Sequence, residues 1–278
     1  MPATQHELEA LARRVEPRST LLRSWPLAGG VSAQVFALET ELADGRTEKL
    51  VVRCHGATDL RRNPQLAADE FRLLQLLQSA GLPVPAPRYL DADAEILSTP
   101  CLVVDYVEGE AGPTAVDRAS FVDQFAAALT RIHRIEASAS DLSFLPERTL
   151  SGRPARSNSP VLLHGDFWPG NTLWNDGRLV AVIDWEDAAF GDPLADVANA
   201  RLELLWALGA EAMCDLTQRY ASAMPEVDMT DLPNWDLWAD ARLAGRVTSW
   251  NLDKETEERM LAGHEEFVAQ ALQQLRGA

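Results

Sequence analysis

Cysteine is scarce in this chain. Cys54, Cys101 and Cys214 are odd in number, far apart and form no CxxC pair. That excludes a disulfide framework and a thiolate zinc site, and leaves reduced core or surface thiols of a cytoplasmic protein as the expectation. Positive charge is also short, with 25 Lys and Arg against 42 Asp and Glu and a net charge of −17. An excess of that sign argues against nucleic acid or an anionic membrane as a partner. It suits plain solubility or a cationic substrate. No apolar run approaches a membrane span, and the mixed-charge N-terminus has no apolar leader core. The sequence shows no internal repeat, no low-complexity tract and neither GxxxxGKS nor GxGxxG. Its five His are scattered, so a His-cluster metallohydrolase is disfavoured.

What remains is a globular composition, 46% hydrophobic over 278 residues, enough for one large domain or two lobes with cores of their own. Residues 4 to 16 carry Leu8, Leu11, Ala12 and Val15 on one helical face. Leu21 to Leu27, Ala33 to Thr40 and Glu48 to Cys54 read as strands, with turns at Ala28-Gly29-Gly30 and at Ala43 to Arg46. A helix is predicted from Asn63-Pro64 to Ser79, stopped by Gly81. The proline-rich stretch to Pro87 is an extended connector into a strand near Arg88 to Leu90. An apolar run from Cys101 to Val107 breaks at Glu108 to Pro113, and the domain boundary is placed there, giving residues 1–107 and 108–278. Ala115 to Ile135 is one helix, and from about residue 194 the pattern is helical with breaks at Pro225 and Pro233. The expected fold class is therefore α+β, a β-rich N-terminal lobe followed by a mostly helical one, with a cleft between them for a ligand.

The chemistry concentrates in His164 to Asp196. Val161 to Leu163 enters as a buried strand and His164-Gly165-Asp166 leaves it in a loop ending at Asn171. Thr172 to Trp174 then pairs with Leu179 to Ile183 across an Asp176-Gly177 hairpin turn. A turn centred there sets Asn171 opposite Val182 and Asp184 about two residues further, roughly 7 Å along the strand. Asn171 and Asp184 offer hard oxygen donors of the kind Mg²⁺ prefers. Asp166 is a carboxylate able to take a proton from a hydroxyl, or else a turn former.

Two further constellations lie in the first half. Arg53 ends a strand and offers a guanidinium fork for phosphate, although strand-end arginines also run out to water. Glu70 falls on the apolar stripe of Leu66, Leu73 and Leu77, where a buried carboxylate needs a cation, and Arg53 is the nearest candidate. Gly29, Gly30 and Ser32 would let backbone amides and a hydroxyl approach a phosphate, or make a two-glycine hairpin turn. His133 follows Leu129 and Ile132 in a helix and reads as a packed histidine. Trp206, Trp235, Trp238 and Trp250, with Glu203, Asp236, Asp240 and Asp253, would wall a site for a cationic amine. Core packing of the tryptophans with acids outside accounts for the same residues.

The combination H-G-D-x-x-x-x-N (His164 to Asn171), I-D-W-E (Ile183 to Glu186) and G-D-P-x-x-D (Gly191 to Asp196) resembles the aminoglycoside phosphotransferase and choline kinase-like family. These are small-molecule relatives of protein kinases, and the likeness runs from about Trp25 to Ala200. It implies a protein kinase-like bilobal fold using ATP and Mg²⁺, with a nucleotide-binding N-terminal lobe and a catalytic C-terminal one. Asp166 would be the base, and Asn171 and Asp184 the metal ligands. Arg53, paired with Glu70, would replace the lysine that contacts the α- and β-phosphates. Gly29, Gly30 and Ser32 would cover the nucleotide, Asp105 to Val107 would offer backbone groups to adenine, and Asp196 would brace the catalytic loop. The implied partner is a small-molecule alcohol, with an amino sugar, aminoglycoside or other amine-bearing alcohol as one class. A nucleotide-binding pseudokinase-like module is the alternative. The chain departs from the family at Arg53, at Ala33-Gln34 after Ser32, and at Phe167-Trp168 in the loop.

Overall fold

The computed structural model describes residues 3–27, 33–113, 117–136, 141–150, 158–243, 247 and 253–277. Gly29, Gly30, Ser32 and Trp250 lie outside them. The chain divides into two compact units, Met1–Glu108 and Gly109–Ala278.

The first unit runs α1 (Gln5–Val15), β1 (Thr20–Pro26), β2 (Ala33–Glu41), β3 (Thr47–His55), α2 (Ala57–Arg62), α3 (Leu66–Ser79), β4 (Pro87–Asp91) and β5 (Cys101–Asp105). Its five strands form one antiparallel sheet in the order β1-β2-β3-β5-β4. Thr4 caps α1 by a capping box with Glu7, which satisfies two end amides at once. Leu8, Leu11 and Ala12 of that helix pack on Leu38, Leu50, Val52 and Val103 of the sheet. The short α2 is an addition to the expected elements.

The second unit contains β6 (Glu110–Ala111), α4 (Arg118–His133), β7 (Glu147–Arg148), β8 (Val161–Leu163), β9 (Thr172–Asn175), β10 (Arg178–Val182) and β11 (Ala189–Gly191). Four helices follow: α5 (Leu194–Leu208), α6 (Ala210–Ala223), α7 (Leu232–Leu243) and α8 (Lys254–Gly277). Two small sheets, β10-β9-β6 and β7-β11-β8, flank the loop between β8 and β9. Helix α5 is buried nearly all round, with Leu194, Val197, Leu202 and Leu204 almost fully covered and Asp196, Asn199 and Arg201 buried among them, as befits a helix at the centre of a bundle. Pro225 separates α6 from α7, whereas Pro233 sits in the first turn of α7, where its missing N–H costs nothing. The α+β expectation, strands first and helices after, is borne out. No described helix is long and apolar enough to cross a membrane.

Candidate active site

The β9–β10 hairpin turns on Asp176 (φ 47°) and Gly177 (φ 74°), both left-handed as a two-residue turn between right-twisted strands requires. One detail differs from the sequence-based register. A bulge between Leu179 and Ala181 moves the ladder by one, so that Thr172, not Asn171, faces Val182. Asn171 is thus opposite Ile183, whose N–H donates to the Asn171 carbonyl at 2.9 Å. Asp184 therefore emerges one residue past Asn171, about 3.4 Å of strand rise instead of about 7 Å.

Asp184 holds φ at 67°, the left-handed region that a non-glycine residue enters only under constraint. Ile183 supplies that constraint from both sides. Its N–H is held by Asn171, and its carbonyl accepts from His164 Nε2 at 3.0 Å. Because that carbonyl only accepts, His164 carries its proton on Nε2, and its Nδ1 receives the Asp166 N–H at 3.3 Å. One imidazole thereby ties the start of the loop to the end of the hairpin.

The Asn171 side chain closes the loop over Asp166. Its Nδ2 donates to the Asp166 carbonyl at 2.9 Å and approaches Asp166 Oδ2 at 3.4 Å. Burial raises the Asp166 carboxyl to about 6, opposed by the Arg242 guanidinium and reinforced by the charges of Asp187, Asp184 and Asp196. Asp196, fully buried at the start of α5, accepts from the backbone N–H of His164 at 2.7 Å and of Gly165 at 2.9 Å. Burial alone would push it up, but His133, facing it at 3.3 Å, together with His164 and the Gly165 amide holds it below the usual carboxylate range. The other His133 nitrogen meets the Tyr220 hydroxyl at 2.7 Å, so this histidine is a packed brace. Gly165 takes φ 85°, and a Cβ there would lie 1.8 Å from the Asp187 carbonyl oxygen.

The unusual Phe167-Trp168 pair has two separate explanations. Phe167 is a core residue, fully buried and 4.4 Å from the Phe125 ring. Trp168 is exposed and folds over Gly170, where a Cβ would fall 2.2 Å from its ring. Arg242 and Asn199 at this site were missed in the sequence. Arg242 of α7 donates to the Gly165 carbonyl at 2.9 Å and to Asn199 Oδ1 at 3.2 Å, and its other nitrogen stands 4.0 Å from Asp166. Asn199 Nδ2 in turn reaches the Phe167 carbonyl at 3.3 Å. Asn199 and Glu203 are four apart on α5 and share one face, a pattern that would have linked Asn199 to the Glu203 already singled out. Burial and the nearby Asp166 charge raise the Glu203 carboxyl to about 8, with Arg242 opposing.

Most described residues of the aromatic and acidic wall suggested for a cationic amine are engaged elsewhere, although Glu203 does stand near Asp166 and Trp250 lies outside the described residues. Trp206 and Trp235 are buried in the core. Asp236 is neutralised by a two-pronged pair with Arg201 at 3.0 and 3.1 Å, and Asp240 meets His264 at 2.6 Å. Trp238 already has two guanidinium groups over its ring.

In the first unit, Glu70 is 4% exposed and its Oε2 lies 3.5 Å from Arg53 Nε and 3.0 Å from His55 Nε2. The carboxylate faces inward, and His55 is the partner that sequence reasoning missed. Asp105 ends β5, where its N–H donates to Ala86 and its carboxylate receives Arg88 at 2.6 Å. Val107 follows in the irregular segment after it.

The fold is shared with solved small-molecule kinases. A candidate aminoglycoside phosphotransferase from Ralstonia eutropha superposes with a TM-score of 0.70 at 16% identity, over 97% of this chain and 98% of that one. The streptomycin–ATP–APH(2″)-IIa ternary complex does so at 0.59 and 18% identity, over 87% and 90%. In sequence, the model of the phosphotransferase enzyme family matches residues 25–158 and 145–229. The chain belongs to that family. Among curated proteins it is 27% identical over 194 residues to acyl-CoA dehydrogenase family member 10 of Mus musculus, a match covering 55% of this chain and 18% of that protein. The chain spans less than a third of the length of the first such relatives.

Proposed function

We propose that the protein is an ATP- and Mg²⁺-dependent kinase that phosphorylates a hydroxyl group of a small molecule. The observation that carries this reading is the closed unit of Asp166, Asn171 and Asp184, in which one amide caps the loop carboxylate and one strand residue fixes the second acid beside it. Asn171 and Asp184 suit Mg²⁺ by donor type, an amide oxygen and a carboxylate. Among the described residues no group of three or more His, Cys, Asp or Glu is placed to hold a metal alone. That fits an ion which keeps few protein ligands and completes its shell with phosphate oxygens and water. When bound, ATP would supply the phosphoryl group and Mg²⁺ would neutralise charge at its phosphates.

The residues of this chain then divide the work. Asp166 orients the acceptor hydroxyl and takes its proton as the oxygen forms its bond to phosphorus. ADP leaves with the electron pair of the broken phosphoanhydride bond. Arg53, fixed by Glu70, is assigned to the nucleotide phosphates. Gly29, Gly30 and Ser32 are assigned to covering them, and the backbone of Asp105 to Val107 to adenine. Asp196 and His164 position the loop without touching substrate. Residues 1–107 form the nucleotide lobe and 108–278 the catalytic lobe in this assignment, in a cytoplasmic enzyme.

ADP release from ATP and Mg²⁺ over a panel of metabolite alcohols and aminoglycosides tests the reading. Asp166→Asn should lower turnover by about 10² to 10⁴-fold while leaving the nucleotide-induced thermal shift in place. Full turnover in that variant would remove the role given to Asp166.

A further inference from the structure

The wall beside Asp166 carries a pair of cations that the phosphotransfer reading does not use. We propose that Arg148 and Arg242, set over Trp238, form an acceptor subsite for an anionic group, so that the hydroxyl substrate carries a carboxylate or a phosphate. This rests on the kinase reading and names its substrate class.

Arg242 is anchored through one nitrogen, Nη1, by the Gly165 carbonyl and Asn199. Its Nη2 stands 4.0 Å from Asp166 Oδ1 and 3.9 Å from Asp187 Oδ2, both beyond hydrogen-bond length. Elsewhere this same unit closes an arginine fully, as the 3.0 and 3.1 Å fork of Arg201 on Asp236 shows. Arg148, at the end of β7, gives Nη2 to the Asp187 carbonyl at 3.1 Å, and its Nε is buried with no hydrogen-bond partner among the described residues. Burial pushes its guanidinium down from the ordinary value, and the charge of Arg242 pushes the same way.

Both guanidinium carbons lie over the Trp238 ring, at 5.4 Å for Arg148 and 5.1 Å for Arg242. Two like charges at one aromatic ring, close enough for each to bear on the other and one with an unmet buried donor, are costly unless an anion joins them. The charges of Asp196, Asp187 and Asp166 support the Arg148 cation, and Asp166 and Asp187 stand 4.0 and 3.9 Å from Arg242, so this compensation acts through space and leaves the Arg148 Nε donor unmet. Asp187 is 53% exposed at its side chain and solvated. Burial raises the Glu203 carboxyl to about 8, which reduces the charge it brings to the pair. A substrate ammonium would meet a tryptophan face already occupied and two cations beside it. A carboxylate or phosphate instead matches the guanidinium fork, which binds such groups through paired N–H donors.

The test uses the full chain with ATP and Mg²⁺ and matched acceptors: 3-hydroxybutyrate against its amide, glucose 6-phosphate against glucose, and kanamycin as a polycation. At least one anion should be used about tenfold better in kcat/KM than its neutral twin, an advantage of about 1.4 kcal/mol. The carboxylate and phosphate arms show which anion it is. Arg148→Gln should raise KM for that acceptor about tenfold, leave kcat within about threefold, and abolish the preference over the neutral twin. Arg148→Lys, which keeps the charge without the fork, should recover part of it. Equal use of the neutral twins, or preference for kanamycin, overturns the proposal. Should no acceptor in the panel turn over, thermal shift in the presence of ADP and Mg²⁺ decides. Stabilisation by an anion that is lost in Arg148→Gln supports the subsite, and no anion-specific shift overturns it. Absence of any ATP–Mg²⁺ shift would instead count against the kinase reading, which separates the two failures.

Discussion

At the scale of single residues, the site is defined by which charges are closed and which are held open. Asp196, Asp236 and Glu70 are buried acids with partners within 2.7 to 3.5 Å, and they organise structure. Glu203 differs, since its environment is set by burial and by the neighbouring Asp166 rather than by a bonded cation. Its carboxyl, raised to about 8 in the folded chain, titrates near 4.3 when unfolded. Between those values the folded state holds a proton that the unfolded state has lost, so stability falls as pH rises through that window and levels off above about 8. Glu203→Gln should remove this fall. Urea unfolding at pH 5 and pH 8 should show the variant gaining on the native chain by on the order of 4 kcal/mol at the higher pH. An identical pH profile for both proteins would place Glu203 in an ordinary solvated setting.

At the scale of elements, the loop from His164 to Asn171 works because one residue in it has no side chain. Gly165 combines a left-handed backbone with an approach of 1.8 Å between its hypothetical Cβ and the Asp187 carbonyl oxygen. Gly165→Ala must therefore move backbone, and Asp166 is the next residue. We expect a stability loss of about 2 to 4 kcal/mol and a turnover loss of about 10²-fold from misplacing the base. Urea unfolding and ADP release measure these separately, and an alanine variant of native turnover would mean that the loop tolerates the shift. The hairpin itself was legible in the sequence, because Asp-Gly between apolar runs allows few other readings. The bulge at Val180 was not. A bulge is chosen by how the flanking strands pack, and here it decides whether Asp184 stands one or two residues beyond Asn171. Glu70 on its apolar stripe was legible from helical spacing, while His55 was not, since no local pattern says which strand residue will meet a distant helix. Arg148 and Arg242 were unreadable for the same reason. A short strand and a helix far apart in sequence place them over one ring.

At the scale of the whole molecule, the strand-first, helix-after order was plain from periodicity and turn residues, and it places the chain in an α+β fold. Net charge governs how such a molecule meets a nucleotide. At −17 the chain repels a polyanion at long range, so nucleotide binding has to be supported by local cations. Arg53 is one by assignment, and its charge is shared with Glu70 at 3.5 Å. Metal bound through Asn171 and Asp184 would supply the rest in the proposed kinase. ATP with Mg²⁺ at about 100 times its Kd should stabilise the folded chain by about 2.7 kcal/mol, a rise in Tm of about 5 to 10 °C for a protein this size. ATP with a chelator should give less than half of that rise. Lowering ionic strength should weaken binding of free ATP more than of its Mg²⁺ complex, because less screening exposes the longer-range repulsion. Equal shifts with and without Mg²⁺ would remove the metal role of Asn171 and Asp184. Their absence in both conditions would remove nucleotide binding itself, leaving the Arg148–Arg242 pair to be explained without a phosphoryl donor.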